Sequence, residues 1–219
     1  MSYRPDRRDD VPIYAADAAD GREQLRADAI ARLGATDARE PGTFLPPVSG
    51  APATLAWRRW LAEPFEAWLG MAFIDIYRAT GRMALDRVLE LDREIDARLE
   101  VAARERSRQA ALPWLEGRTE VRRQPQWVKY LRAQETGDTP GHLPTIFALQ
   151  AALFHLPLLP TLTAYVIFEG MNGRAAVDPK SRRDPEAFAS RHPEAMETAR
   201  RVFRSAAEAG EAGGWLTSV

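Results

Sequence analysis

The sequence predicts an all-α protein, a single-domain bundle of six to eight helices with an extended N-terminal arm and a central apolar helical hairpin. Two observations favour this class. From Thr54 onward, apolar residues recur with the spacing of one helix face. In addition, no run of β-branched and aromatic residues alternates with period two between turn signals, although residues 162–168 are compatible with a strand.

The composition excludes several kinds of site. Because the 219 residues include no cysteine, disulfide scaffolds, thiolate zinc sites, iron–sulfur clusters and cysteine nucleophiles are absent. The 30 basic and 31 acidic side chains give a net charge of −1, so the basic surplus typical of nucleic-acid-binding proteins is missing. Nucleic acid is therefore a partner class that we do not favour. The N-terminus is polar and lacks a signal-peptide pattern, which predicts a cytoplasmic protein.

Three segments are expected along the chain. Residues 1–53 form an N-terminal arm with one short helix and a strap rich in proline, in which Phe44 and Leu45 are candidate anchors. Residues 54–209 form the helical domain, and residues 210–219 form a C-terminal tail.

Within the helical domain, residues 64–80 have the clearest amphipathic pattern. Because acidic residues and arginines are interspersed along residues 82–111, we expect this segment to form one long charged surface helix. Pro113 is expected to end it. Its acidic residues, Asp92 among them, are interpreted as solvent-exposed.

Residues 143–168 carry no acidic or basic side chain, and this segment allows three interpretations. It is long enough to cross a membrane. Pro157 and Pro160 interrupt its middle, however, where a spanning helix must satisfy its own backbone. We therefore favour a helical hairpin in the core, and keep a membrane-associated hairpin and an exposed partner-binding face as alternatives.

Catalytic candidates are few and weak. Asp75 lies among apolar residues of one predicted helix, while His155 and Tyr165 lie in the apolar hairpin. If they converge on a pocket between residues 64–80 and 143–168, the chain is a small-molecule-binding protein or an enzyme. No phosphate-binding, nucleophile or metal-ligand motif accompanies them, so we expect neither a metal nor a cofactor.

The leading hypothesis is a non-enzymatic interaction protein, such as an assembly subunit, an adaptor or a chaperone. Trp57 and Trp60 flank Arg58 and Arg59, and the combination of aromatic and arginine side chains is typical of interfaces. We expect these four residues, together with Phe44 and Leu45, to dock a protein partner or a second copy of the chain.

Overall fold

The computed structural model describes residues 51–116, 124–175 and 185–212. These residues form helices and contain no strand, which confirms the all-α prediction. The segment 162–168, which had the composition of a strand, is helical. The anchor candidates Phe44 and Leu45 lie outside the described residues, as do the other residues of 1–50 and residues 213–219.

The first helical segments run from α1 (Ala51–Trp60) through a π-helical segment (Leu61–Leu69) into α2 (Gly70–Gly81). The helix is broken at Glu63, whose backbone is extended (φ −141°, ψ 118°). Pro64 explains the break, because its ring excludes the helical conformation at the residue before it and supplies no N–H. The bend turns α1 relative to α2.

Two helices replace the single long helix that was expected over residues 82–111. They are α3 (Leu85–Arg98) and α4 (Val101–Glu116). Between them Leu99 is extended (φ −80°, ψ 144°), and its carbonyl oxygen accepts a hydrogen bond of 2.8 Å from Arg104 Nε. In a continuous helix this carbonyl oxygen would accept a hydrogen bond from a main-chain N–H group. The Arg104 side chain takes the place of that donor, so the helix can end at Leu99 without leaving the oxygen unpaired. Pro113 does not end α4, which continues to Glu116.

The remaining helices surround the apolar hairpin. They are α5 (Pro125–Glu135), the hairpin helices α6 (Leu143–Leu153) and α7 (Leu158–Ala175), then α8 (Pro185–Arg191) and α9 (Pro193–Ala212). Helix α6 packs against α2, α3, α4 and α7, and α9 packs against α7 and α2. Among the described helices, none combines the length and the apolar character that crossing a membrane requires.

Aromatic rings fill the centre of the bundle. Tyr165 of α7 is fully buried, and its ring centroid lies 5.1 Å from that of Phe73 and 5.3 Å from that of Phe147. All residues from Leu143 to Ala152 are buried as well. The segment therefore lies in the core, as predicted. Its buried polar residue Gln150 donates a hydrogen bond of 3.1 Å to the main-chain carbonyl oxygen of Trp114.

Gly170 of α7 lies against Trp57 of α1 and Phe188 of α8. A methyl group at its Cα would lie 2.5 Å from Phe188 Cζ and 2.6 Å from Trp57 Nε1. Since two aromatic rings must then move apart, we expect Gly170→Ala to lower the free energy of unfolding by about 1–3 kcal/mol. Urea unfolding followed by circular dichroism measures this change. Gly81→Ala is the control, because its methyl group would have no neighbour within 4 Å among the described residues. Equal stabilities of the two variants would contradict the packing described here.

Candidate functional site

Asp92 is a buried carboxylate in the middle of the fold. It lies on α3 between the core residues Leu91 and Ile95 and is fully shielded from solvent. Five donors bond to its two oxygens: the hydroxyl groups of Tyr130 (3.1 Å), Thr139 (2.6 Å) and Thr145 (2.6 Å), and the main-chain N–H groups of Gly141 (2.7 Å) and His142 (3.1 Å). A buried charge is tolerated only with such compensation.

These bonds fix the loop between α5 and α6, residues 136–142. Thr139, Gly141 and His142 all belong to it, so three of its residues converge on one carboxylate. Gly141 has a φ of +80°, a conformation that favours glycine. At the outer edge of the loop, Arg93 donates a hydrogen bond of 3.1 Å to the carbonyl oxygen of Asp138. Two neighbouring residues of α3, Asp92 and Arg93, therefore hold the loop in place.

His142 connects this loop to a second aspartate of α3. Its Nε2 lies 3.1 Å from Asp96 Oδ1, and Asp96 also pairs with Arg104 of α4 at 3.7 Å. Burial lowers the pKa of the His142 imidazole; nearby Asp92 and Asp96 oppose this effect, while Arg108 adds to it. Burial therefore favours the neutral form of the imidazole.

A surface pocket of about 230 Å³ lies next to this loop. Residues of α4, of α5 and of the loop line it: Glu105, Arg108, Gln109, Leu112, Leu115, Gln134, Pro140 and Gly141. The lining contains no hydroxyl, thiol or imidazole that could attack a substrate. Elsewhere in the described ranges, no group of histidine and acidic side chains has the arrangement of a metal site.

The outer face of α1 is the second notable surface. Leu55, Arg58 and Arg59 occupy one helical face at positions i, i+3 and i+4, and Leu55 is 70% exposed. Arg58 is 65% exposed and lies 3.6 Å from Glu194 of α9. Arg59 is exposed too, and no ion pair with it is observed within residues 51–116, 124–175 and 185–212. We refer to Leu55, Arg58 and Arg59 as the α1 outer face.

One protein-family model matches this chain over a long range. The UreF family model matches residues 53–168, which is more than half of the sequence. The chain belongs to the UreF family. No curated protein and no solved structure matches it.

UreF proteins are urease accessory proteins, a non-enzymatic class that takes part in assembly together with partner proteins. Membership confirms the general hypothesis of an assembly or chaperone-type interaction protein. The matched range of this UreF-family chain includes Asp92, the loop of residues 136–142 and the α1 outer face.

The three catalytic candidates lie in different surroundings. Asp75 is half-buried on α2, His155 is exposed after the end of α6, and Tyr165 is buried among aromatic rings. Burial raises the pKa of Asp75, an effect that nearby Arg78 opposes, and the pKa of Tyr165 is raised by its burial and by Glu169. A pocket between α2 and the hairpin that joins these residues stays a prediction, and α2 and α6 pack directly against each other.

Trp57 and Trp60, which were expected to dock a partner, are both buried in the core. Trp57 is 0% exposed, and its ring packs edge-on against Phe188 (5.5 Å between centroids) and His192 (5.1 Å). Trp60 is buried and stacks on Phe65 at 5.2 Å. The helical turn explains the separation, since residues 57 and 60 lie on the inner face of α1 while the two arginines are exposed on the opposite face.

Sequence reasoning missed Asp92, although a usable signal was present. Asp92 follows Leu91 directly and falls between Val88 and Ile95, the apolar positions that form the buried stripe of α3. A charged residue inside such a stripe needs buried partners. The sequence supplies candidates in Thr139 and Thr145, but only the tertiary fold brings them within reach.

Proposed function

We propose that this chain acts as a urease accessory protein by binding a partner of the UreD or UreG type through the α1 outer face. The observation that supports this most strongly is the match to the UreF family over residues 53–168, since proteins of this family work with those partners. We also propose a cytoplasmic location, which suits an assembly step on a urease, and a contribution of Phe44 and Leu45 to the same contact.

The shape and charge of the α1 outer face favour a protein partner with acidic groups. Leu55 is an exposed aliphatic side chain one helical turn before Arg58 and Arg59. Interfaces commonly combine such an apolar contact with arginine at its edge. Because Arg59 has no ion pair among the described residues, it can pair with a carboxylate of the partner at little cost. On the inner face, Trp57 and Trp60 fasten α1 to the core, so the outer face is presented on a rigid helix.

The test is a titration of the purified chain with its UreD-type and UreG-type partners by biolayer interferometry. We expect Arg59→Glu to weaken binding to at least one of them about tenfold or more, because it places a negative charge opposite acidic groups. Lys129→Glu is the matched control: Lys129 is also an exposed cation, but it lies on α5. Unchanged affinity of Arg59→Glu, or an equal loss in the control, would contradict a docking role for the α1 outer face.

A further inference from the structure

His142 is the part of the Asp92 site whose charge can change near neutral pH. Its side chain is fully buried, with Nε2 at 3.1 Å from Asp96 Oδ1 and the main-chain N–H at 3.1 Å from Asp92 Oδ1. The other ring nitrogen, Nδ1, is buried and has no hydrogen-bond partner within the described part of the chain. A neutral imidazole can leave this nitrogen as a bare acceptor, whereas a protonated ring needs an acceptor for a second N–H.

The charged and titratable groups around the ring come from three neighbouring helices. Helix α3 provides Asp92 and Asp96, α4 provides Arg104 and Arg108, and α5 provides Tyr130, which donates its hydroxyl hydrogen to Asp92. The aspartates would favour an imidazolium ion. Arg108 and the loss of solvent oppose it, and the loss of solvent is the largest of these effects.

We propose that His142 is an acid-sensitive latch, whose protonation releases residues 136–142 from Asp92 and opens the wall of the neighbouring pocket. The proton comes from solvent and resides on Nδ1, where the closed loop offers no acceptor. In the open form, water solvates the new N–H group. Because Pro140 and Gly141 belong to the pocket lining, movement of the loop changes the pocket directly. The latch does not depend on the α1 outer face.

The direction of the pH effect follows from linkage. An exposed imidazole has a pKa of about 6.5, and burial lowers the pKa of His142 in the closed loop. The open form therefore binds the proton more tightly, and closure loses stability as the pH falls below about 6.5. The equilibrium constant for opening should rise by up to about tenfold between pH 7.5 and pH 5.5. Exposed carboxylates remain ionised over this interval.

Hydrogen exchange read by mass spectrometry on the full chain tests the latch. Exchange of the amides of Gly141 and His142 is measured at pH 7.5, 6.5 and 5.5 and corrected for the intrinsic dependence on pH. We expect the corrected rate to rise up to tenfold in the wild-type protein at pH 5.5. His142→Gln should lose this rise, because a glutamine can still donate to Asp96 but cannot take up a proton there. His155→Gln should keep it, since His155 is exposed at the other end of α6.

A wild-type corrected rate that is independent of pH would overturn the proposal, and so would an equal rise in His142→Gln. If His142→Gln does not fold, the wild-type imidazole signals give the answer by NMR after backbone assignment. The latch requires His142 to titrate with a midpoint below 6.5 and in step with the change in exchange. Titration at or above 6.5 would overturn it.

Discussion

Replacing Asp92 with alanine is expected to lower the free energy of unfolding by about 3–5 kcal/mol. The carboxylate accepts hydrogen bonds from three hydroxyl groups and two main-chain N–H groups, all in the protein interior. Without it, these donors are left buried and unpaired, or water must enter the core to reach them. Equilibrium unfolding in urea, followed by circular dichroism, measures the loss.

Two further variants show whether the hydrogen bonds at Asp92 carry the effect. Asp92→Asn keeps the size of the side chain but converts one acceptor oxygen into a donor, so we expect a smaller loss of about 1–3 kcal/mol. Asp86→Ala removes an exposed aspartate from the first turn of the same helix, and its cost should stay below about 1 kcal/mol. If Asp92→Ala were as mild as Asp86→Ala, Asp92 would not anchor the loop.

Trp57→Ala is the second change with a large expected effect, again about 3–5 kcal/mol of unfolding free energy. Trp57 is fully buried, and its ring occupies the space left by Gly170 while it contacts Phe188 and His192. Deleting the indole leaves a cavity where α1, α7 and α8 meet. The same urea unfolding experiment measures this loss.

Leu55→Ala is the matched control for Trp57→Ala, because Leu55 lies on the same helix but is 70% exposed. Its effect on unfolding should be within about 0.5 kcal/mol. Trp57→Phe retains an aromatic ring, so it should lose less unfolding free energy than Trp57→Ala. If Trp57→Ala had normal stability but no longer bound its partners, Trp57 would belong to the docking surface, and the buried position described here would be contradicted.

The sequence was sufficient to predict the helical class and the core hairpin, because both depend on local patterns. The spacing of apolar residues indicates helices, and the prolines at 157 and 160 indicate that the apolar segment folds back. Even the inward direction of Trp57 and Trp60 was available, since together with Leu61 they repeat at helical spacing. Because arginines and tryptophans are adjacent in that segment, its composition suggested one surface that contains both. In the helix, however, the tryptophans and the arginines lie on opposite faces.

Other features required the tertiary fold. The break at Leu99 depends on Arg104, whose side chain reaches back to a carbonyl group that a continuous helix would have used. The role of Asp92 depends on donors 38 to 53 positions away along the chain. No periodic pattern encodes such contacts, because each is formed by elements that meet only after packing.

The central claim is that this chain works by binding assembly partners, and the most direct measurement is whether a stoichiometric complex forms. The purified chain is mixed with its urease accessory partners and examined by size-exclusion chromatography with light scattering. The account predicts a new species whose mass is the sum of whole numbers of the components, and this species should be depleted when Arg59→Glu replaces the wild-type chain. Separate elution of all components at concentrations of tens of micromolar, with the chain folded, would contradict it.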